Sequence, residues 1–319
     1  METGSPPRTA VIFPGIGPTR FRDVAKFMLL NPAARSLVAR ADDTLGYSLV
    51  DRYREAEAAG AAEYSEYARV SFLVNCLALA SWATRAHDLE PEVCAGPSFG
   101  GTPSAVFSGA LDFPDAVWLT AEWGRHVEEY FAREHGDVVT QSFARTPPDR
   151  LREVLAELDE RGEWYDVAAY VDDDFSMVSV RESALERFQQ RLRSVGGLPL
   201  YVMRPPMHSP AFAALRDTLE REVVSKIDFR DPELPVVSDH DGTVLRTAAE
   251  IRTLVLDAVV RPVRWPDTLA TLRERGIGRL CVAGQDALWG RVPVATRAFH
   301  VLPVKPETAL RTPRRATAA

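Results

Sequence analysis

The stretch Val93-Cys94-Ala95-Gly96-Pro97-Ser98-Phe99-Gly100-Gly101 constrains this chain more than any other. A short apolar run ends there in Gly-x-Ser-x-Gly, and a second apolar segment, Ala105 to Leu111, follows. A strand that turns sharply into a helix lifts the central Ser98 out of the backbone. Glycines at 96 and 100 remove the Cβ atoms that would collide in such a turn. The N–H groups that open the helix are unpaired and can meet a developing oxyanion. Taken alone, the pattern also fits a glycine turn with no chemistry.

The rest of the chain suits an α/β setting. Thr9 to Phe13 reads as a strand ending in the turn Pro14-Gly15-Ile16-Gly17-Pro18, which can aim backbone N–H groups at an anion or be a plain strand-to-helix turn. Arg22 to Leu30 and Pro32 to Leu45 have helical spacing, and Tyr67 to His87 is apolar nearly all round, the mark of a buried helix. Phe113-Pro114-Asp115 starts another helix, running through Trp123 to Val127. From about Asp137 to Met203 the order is strand, helix, strand, strand, helix, strand, the split βαβ pattern of a ferredoxin-like unit. The expected architecture is therefore α/β: a large α/β-hydrolase-like domain with a parallel sheet, residues 1–134 and 205–319, and a small ferredoxin-like subdomain, residues 135–204, inserted into it. The tail from Glu307 reads as a helical remnant followed by disorder.

Composition excludes several classes. With 319 residues, 46% of them hydrophobic and 26% charged, the chain can bury a full core. Cys76, Cys94 and Cys281 lie far apart in apolar runs, which predicts reduced core thiols and no metal site. The opening residues Met1 to Thr9 are polar, and the apolar stretch after them is too short for a signal sequence or a membrane span, so a cytoplasmic protein is expected. A net charge of −7 argues against general nucleic-acid binding.

Four motifs in order resemble the acyltransferases of fatty-acid and polyketide synthesis, typified by malonyl-CoA:acyl-carrier-protein transacylase. They are Pro14-Gly15-Ile16-Gly17, Gly96-Pro97-Ser98-Phe99-Gly100, His208-Ser209-Pro210 and Pro262-Val263-Arg264-Trp265, and the likeness spans nearly the whole chain. The resemblance implies acyl transfer through an acyl-serine: Ser98 attacks a thioester and His208 takes its proton. It implies that the carbonyl of Arg261 orients the histidine and that the N–H groups of Ile16 and Phe99 hold the oxyanion. The other histidines, at 87, 126, 135, 240 and 300, read as surface or structural residues. No cofactor is implied beyond the phosphopantetheine arm of a carrier protein, or CoA, that brings the acyl group. Donor and acceptor would be acyl carrier proteins, which are acidic. Arg150, Arg152, Arg204, Met207 and Arg297 are the candidate docking residues, and a solvated surface is the alternative for each arginine.

Departures from the family's pattern bear on the substrate. Malonyl-type members hold the substrate carboxylate with an arginine on the helix after the elbow. Trp123 stands at that place here, and Arg125, two residues on, points elsewhere on a helix unless the alignment slips. Pro97 replaces the family's histidine before the nucleophile, and Met207 stands before the loop histidine, both consistent with a wider, apolar pocket. The reading is a non-malonyl acyl group, aminoacyl or dipeptidyl, moved between carrier proteins as in free-standing acyltransferases of macrolactam polyketide assembly. Malonyl-CoA:acyl-carrier-protein transfer, an editing hydrolase using the same Ser98 and His208, and a carrier-docking protein without catalysis are the alternatives. A true α/β-hydrolase order would pair Asp257 with His300.

Overall fold

Two sheets of different character divide the molecule. The computed structural model describes residues 7–60 and 64–310. Its first part runs β1 (Thr9–Ile12), α1 (Phe21–Leu30), α2 (Pro32–Leu45), α3 (Leu49–Ala58), α4 (Glu66–Ala86), β2 (Pro91–Ala95), α5 (Gly101–Phe107) and α6 (Phe113–Arg133). The middle comprises β3 (Val138–Ala144), α7 (Pro148–Glu160), β4 (Tyr165–Asp172), β5 (Phe175–Arg181), α8 (Glu182–Ser194) and β6 (Leu198–Met203). The last part holds α9 (Ala213–Glu222), β7 (Val236–Val237), β8 (Val244–Leu245), α10 (Ala248–Asp257), β9 (Val263–Arg264), α11 (Trp265–Glu274), β10 (Arg279–Ala283), α12 (Pro293–Thr296), β11 (His300–Val304) and α13 (Pro306–Ala309).

The larger sheet has the order β11-β10-β1-β2-β7-β8, parallel throughout except for the β7–β8 hairpin at one edge. β1 lies in its interior with every residue buried, because helices cover both faces. Its alternate residues feed two separate clusters, Val11 on one side, Ala10 and Ile12 on the other. α4 is buried along most of its length and packs against α6, α2 and β10. That enclosure is why its sequence is apolar all round. The three cysteines are free and buried, and burial pushes the Cys281 thiol up to about 12. Among the described residues no helix is long and apolar enough to cross a membrane.

The smaller sheet has the order β6-β3-β5-β4-β9. β3, β4, β5 and β6 are antiparallel, with the fourth strand of the segment beside the first, then the third, then the second. α7 and α8 cover one face, where Phe143, Val178, Val180, Phe188 and Leu192 form a core of their own. The other face carries Ala168, Val171 and Met177 into the cluster shared with Ile12 and Val282 of the larger sheet.

The fifth strand departs from the sequence-based boundary. β9 lies outside 135–204, yet it pairs in parallel with β4, Ala169 facing Val263 and Tyr170 facing Arg264. Val263 is buried in the shared cluster, and the Arg264 guanidinium lies 5.0 Å from the Tyr170 ring centroid, so the segment gains more against β4 than it would in a loop. α3 was not anticipated, because it buries only Leu49 and Tyr53 and otherwise reads as a charged surface. At the C-terminus, α13 covers the start of the tail; residues 311–319 lie outside the described residues.

Candidate active site

The elbow works because two backbones pass within contact distance. A Cβ placed on Gly96 would sit 2.1 Å from the Gly100 carbonyl oxygen, and one on Gly100 would sit 2.1 Å from the Phe13 carbonyl oxygen. No side chain fits either place, so strand, turn and helix can close around residue 98 only with glycine at both positions. Ser98 itself takes φ 56°, in the left-handed region that non-glycine residues occupy at a cost of about 1–3 kcal/mol. Its N–H donates to Oδ2 of Asp239 at 2.6 Å, which offsets part of that cost and fixes the turn to the loop after β7.

His208 arrives from the other side on a loop that begins with a cis Arg204–Pro205 peptide, and it too has positive φ, 66°. Ser209 anchors the loop: its N–H donates to the Val259 carbonyl at 3.1 Å, and its hydroxyl bonds to the Asp166 carboxylate on β4. The result is a contact of 2.8 Å between Ser98 Oγ and His208 Nε2. On the far side of the ring, Nδ1 lies 3.1 Å from the Arg261 carbonyl oxygen. A carbonyl can only accept, so Nδ1 carries the hydrogen and Nε2 presents its lone pair to the serine hydroxyl. Burial, assisted by the neighbouring His240, lowers the His208 pKa to about 3, while the Arg261 carbonyl opposes the shift. The imidazole is therefore neutral at neutral pH and able to accept a proton.

Behind the pair lies a layer that the sequence reading missed. Asp239 is buried, and burial raises its carboxyl above the usual range, while His240 and the Ser98 N–H hold it down. Of the two readings of His240, surface or structural, the structure supports the second: it is 3% exposed, with Nδ1 3.2 Å from the Pro262 carbonyl and Nε2 3.6 Å from Asp239 Oδ1. The signal was positional. Ile16, Ser98 and Asp239 follow β1, β2 and β7, three parallel strands whose carboxyl ends lie together, where ligands bind in open α/β sheets.

Two cavities meet at Ser98 and His208. The inner one is mostly apolar and lined by Leu119, Trp123, Met207, Leu254 and Val255, together with Arg69. The outer one is a cleft of about 1090 Å³ that runs past Ile16, between Met177 of the small sheet and Trp289 in the turn between β10 and α12. Of the predicted pocket residues, Trp123 and Met207 line the inner cavity; Ile16 and Phe99, expected to hold the oxyanion through their N–H groups, border it too. Pro97 is not among its lining residues; its carbonyl accepts the Gly100 N–H at 3.0 Å and so shapes the elbow. Arg125 is turned outward, 3.5 Å from Glu66 and bonded to Glu122. Asp257 is bonded to Arg216 at 3.0 Å and His300 is exposed on β11, so the α/β-hydrolase order assembles no second site.

The predicted docking residues are spread out. Arg204 borders both cavities and bonds to Glu182 at 2.6 Å. Arg150 and Arg152 are exposed on α7, each paired within its own helix, with Glu153 and Asp149 respectively. Arg297 opens onto a separate groove that it shares with Asp173 and Arg273.

The family described as the VinK acyltransferase small domain matches residues 142–203, which covers the end of β3 and all of α7, β4, β5, α8 and β6. The malonyl CoA-acyl carrier protein transacylase of Bacillus subtilis (strain 168) is 25% identical over 307 residues, covering 94% of this chain and 95% of that protein. The polyketide biosynthesis protein ThaF of Burkholderia thailandensis is 29% identical over 217 residues, 67% of this chain but 18% of that much longer protein. Among solved structures, a malonyl-transacylase in complex with a type II polyketide synthase acyl-carrier protein, PlMCAT:AntF, superposes with a TM-score of 0.80 at 23% identity, covering 95% of this chain and 99% of that one. In sequence and fold the chain thus resembles the malonyl-CoA:acyl-carrier-protein transacylases over nearly its whole length.

Proposed function

We propose that this protein is an acyltransferase that moves a non-malonyl acyl group, aminoacyl or dipeptidyl, from one acyl carrier protein to another in polyketide assembly, through an ester on Ser98. The observation that carries the reading is the 2.8 Å contact between Ser98 Oγ and the neutral His208 ring, at the junction of a mostly apolar inner cavity and a larger outer cleft. The transacylase names of the relatives support the reaction type and the carrier-protein partner.

In the first half-reaction the Ser98 oxygen adds to the thioester carbonyl as its proton passes to His208 Nε2. The N–H groups of Phe99 and Ile16 hold the oxyanion. Collapse expels the donor thiolate, which takes the proton from His208 and leaves acyl-Ser98. An acceptor thiol then reverses the steps: its proton goes to His208, its sulfur adds to the ester, and the serine oxygen leaves and is reprotonated. The Arg261 carbonyl keeps the ring in one tautomer and stabilises the imidazolium. The outer cleft, between the hydrolase-like large domain and a ferredoxin-like subdomain of residues 135–204, takes the phosphopantetheine arm, and Arg204, which borders the cleft, meets the carrier, while Met207 faces the acyl group in the inner cavity. Arg150, Arg152 and Arg297 extend that acidic-partner surface. Trp123 and Met207, with no arginine on α6 facing the cavity, favour a substrate other than malonyl.

Intact-mass spectrometry of the protein and of Ser98→Ala, after incubation with malonyl-CoA and with aminoacyl-loaded and dipeptidyl-loaded carrier proteins, tests the reading. Acylation that is absent in Ser98→Ala and is discharged by an acceptor carrier protein is expected. Discharge by water alone makes the protein an editing hydrolase, and labelling by malonyl-CoA in preference to the other donors returns it to the malonyl transacylases.

A further inference from the structure

The inner cavity holds a cation that the reaction above does not use. Arg69, in the first turns of α4, is 7% exposed and borders the cavity with Ser98, His208, Leu119 and Trp123. Its Nε donates to the Tyr64 carbonyl at 2.8 Å, and among the described residues that is its one hydrogen bond, with no ion pair beside it. Glu128 acts on it only at a distance. Neither Nη group has a hydrogen-bond partner among the described residues, and Arg69 is one of the side chains that line the cavity. The helix opposite packs against it: a Cβ on Gly124, the residue after Trp123, would lie in ordinary contact, 3.4 Å, with Arg69 Cδ.

Burying a guanidinium among apolar side chains without a counter-charge is costly, and folded proteins offset such a charge with an acceptor. Burial lowers the Arg69 pKa only to about 10, so the group stays protonated at neutral pH. Among the described residues one acceptor serves Nε and none serves the two Nη groups, a planar fork suited to oxygen on a side chain that lines the same cavity as Ser98 and His208.

We propose that Arg69 is a specificity-determining residue: it donates to an oxygen acceptor carried by the acyl chain beyond the thioester, an amide carbonyl or a carboxylate, and it disfavours a free ammonium at that point. The inference rests on the acyltransferase reading and narrows it. Of the non-malonyl groups, a dipeptidyl group with its internal amide fits, and an aminoacyl group with a bare amine near the guanidinium does not. It also means that Trp123 alone does not decide against a carboxylate, because a cation reaches the same cavity from α4 instead of α6.

Four pantetheine thioesters, which need no carrier docking, provide the test: N-acetylglycyl, malonyl, glycyl and butyryl. The rate of acyl-Ser98 formation is read by intact mass for the wild type and for Arg69→Gln. The wild type is expected to prefer one of the two oxygen-bearing groups over butyryl and to take glycyl poorly. Arg69→Gln should slow that preferred group by about tenfold or more while butyryl changes by about twofold or less, since a site built to hydrogen-bond its substrate discriminates strongly against analogues lacking the partner. A wild type that favours butyryl or glycyl overturns the inference without any variant. Equal loss for all four thioesters in Arg69→Gln, or unchanged ratios, overturns it as well. Preference for malonyl that depends on Arg69 keeps the inference and removes the non-malonyl part of the proposed function. Failure of every thioester to label wild-type Ser98 removes the acyltransferase reading, and this inference with it.

Discussion

The serine and the histidine reach the same 2.8 Å contact by opposite means. The serine is placed by backbone. Its elbow is a continuous stretch between β2 and α5, and glycines at 96 and 100 permit approaches that would otherwise put a Cβ 2.1 Å from a carbonyl oxygen. The histidine is placed by tertiary contacts. Its loop is tied to Val259, to Asp166 and to Arg261, none of them within 40 residues of it. The contrast teaches that the placement of the proposed nucleophile can be specified by local sequence, whereas that of the proposed base depends on the assembly of both sheets.

Four perturbations would break or sharpen that contrast. The largest effect is expected from Gly100→Ala. Its new Cβ would lie 2.1 Å from the Phe13 carbonyl, a rigid backbone atom, so the elbow must open and the protein should lose soluble expression or about 4 kcal/mol or more in urea melts. A well-folded, active Gly100→Ala protein would contradict the backbone account. Next is Asp239→Ala, which leaves the Ser98 N–H without its acceptor in a buried turn. About 1–3 kcal/mol of stability and about tenfold or more in acylation rate should disappear, and Asp239→Asn, which keeps an acceptor oxygen, should recover most of both. Ser209→Ala should have a smaller effect on stability, about 1 kcal/mol, read by denaturant melts, and should lower acylation more than stability, because it frees the base and leaves the nucleophile fixed.

The smallest expected effect is an absence. The His208 ring titrates near 3 instead of at its ordinary 6.5, so the acylation rate should show no step near pH 6.5. The stability counterpart has a definite sign. Between about pH 6.5 and 3 the unfolded chain binds a proton at His208 that the native state does not, so this residue contributes a loss of stability as pH falls through that window and none above it. An acylation step near 6.5 that persists in His240→Gln would show that the ring is solvated instead of buried.

The same contrast explains what was legible in the sequence. Gly96, Ser98 and Gly100 announce themselves because the constraint lies within five residues. The four strands and two helices between Val138 and Met203 were readable because period-two and helical patterns are local and their turns are marked. His208 emerged only through its motif resemblance, since a histidine in a proline-rich loop is unremarkable by itself. Arg69 and Asp239 were invisible: an arginine on a helix and an aspartate in a turn both look solvated, and only packing against Gly124 and the carboxyl end of β7 reveals them as buried. β9 was missed for a similar reason, since two residues cannot display a strand period.

The stretch from Arg261 to Arg264 works as a mechanical stitch. Its first carbonyl steadies the imidazole, and its last two residues are laced into the small sheet beside β4. Asp166, which tethers Ser209, lies on that same strand. Any tilt of the small lobe, such as a bound protein could impose, therefore pulls on Ser209 and on the carbonyl behind the imidazole together while the serine stays with the large sheet, so the distance between Ser98 Oγ and His208 Nε2 is also a gauge of how the lobes are seated.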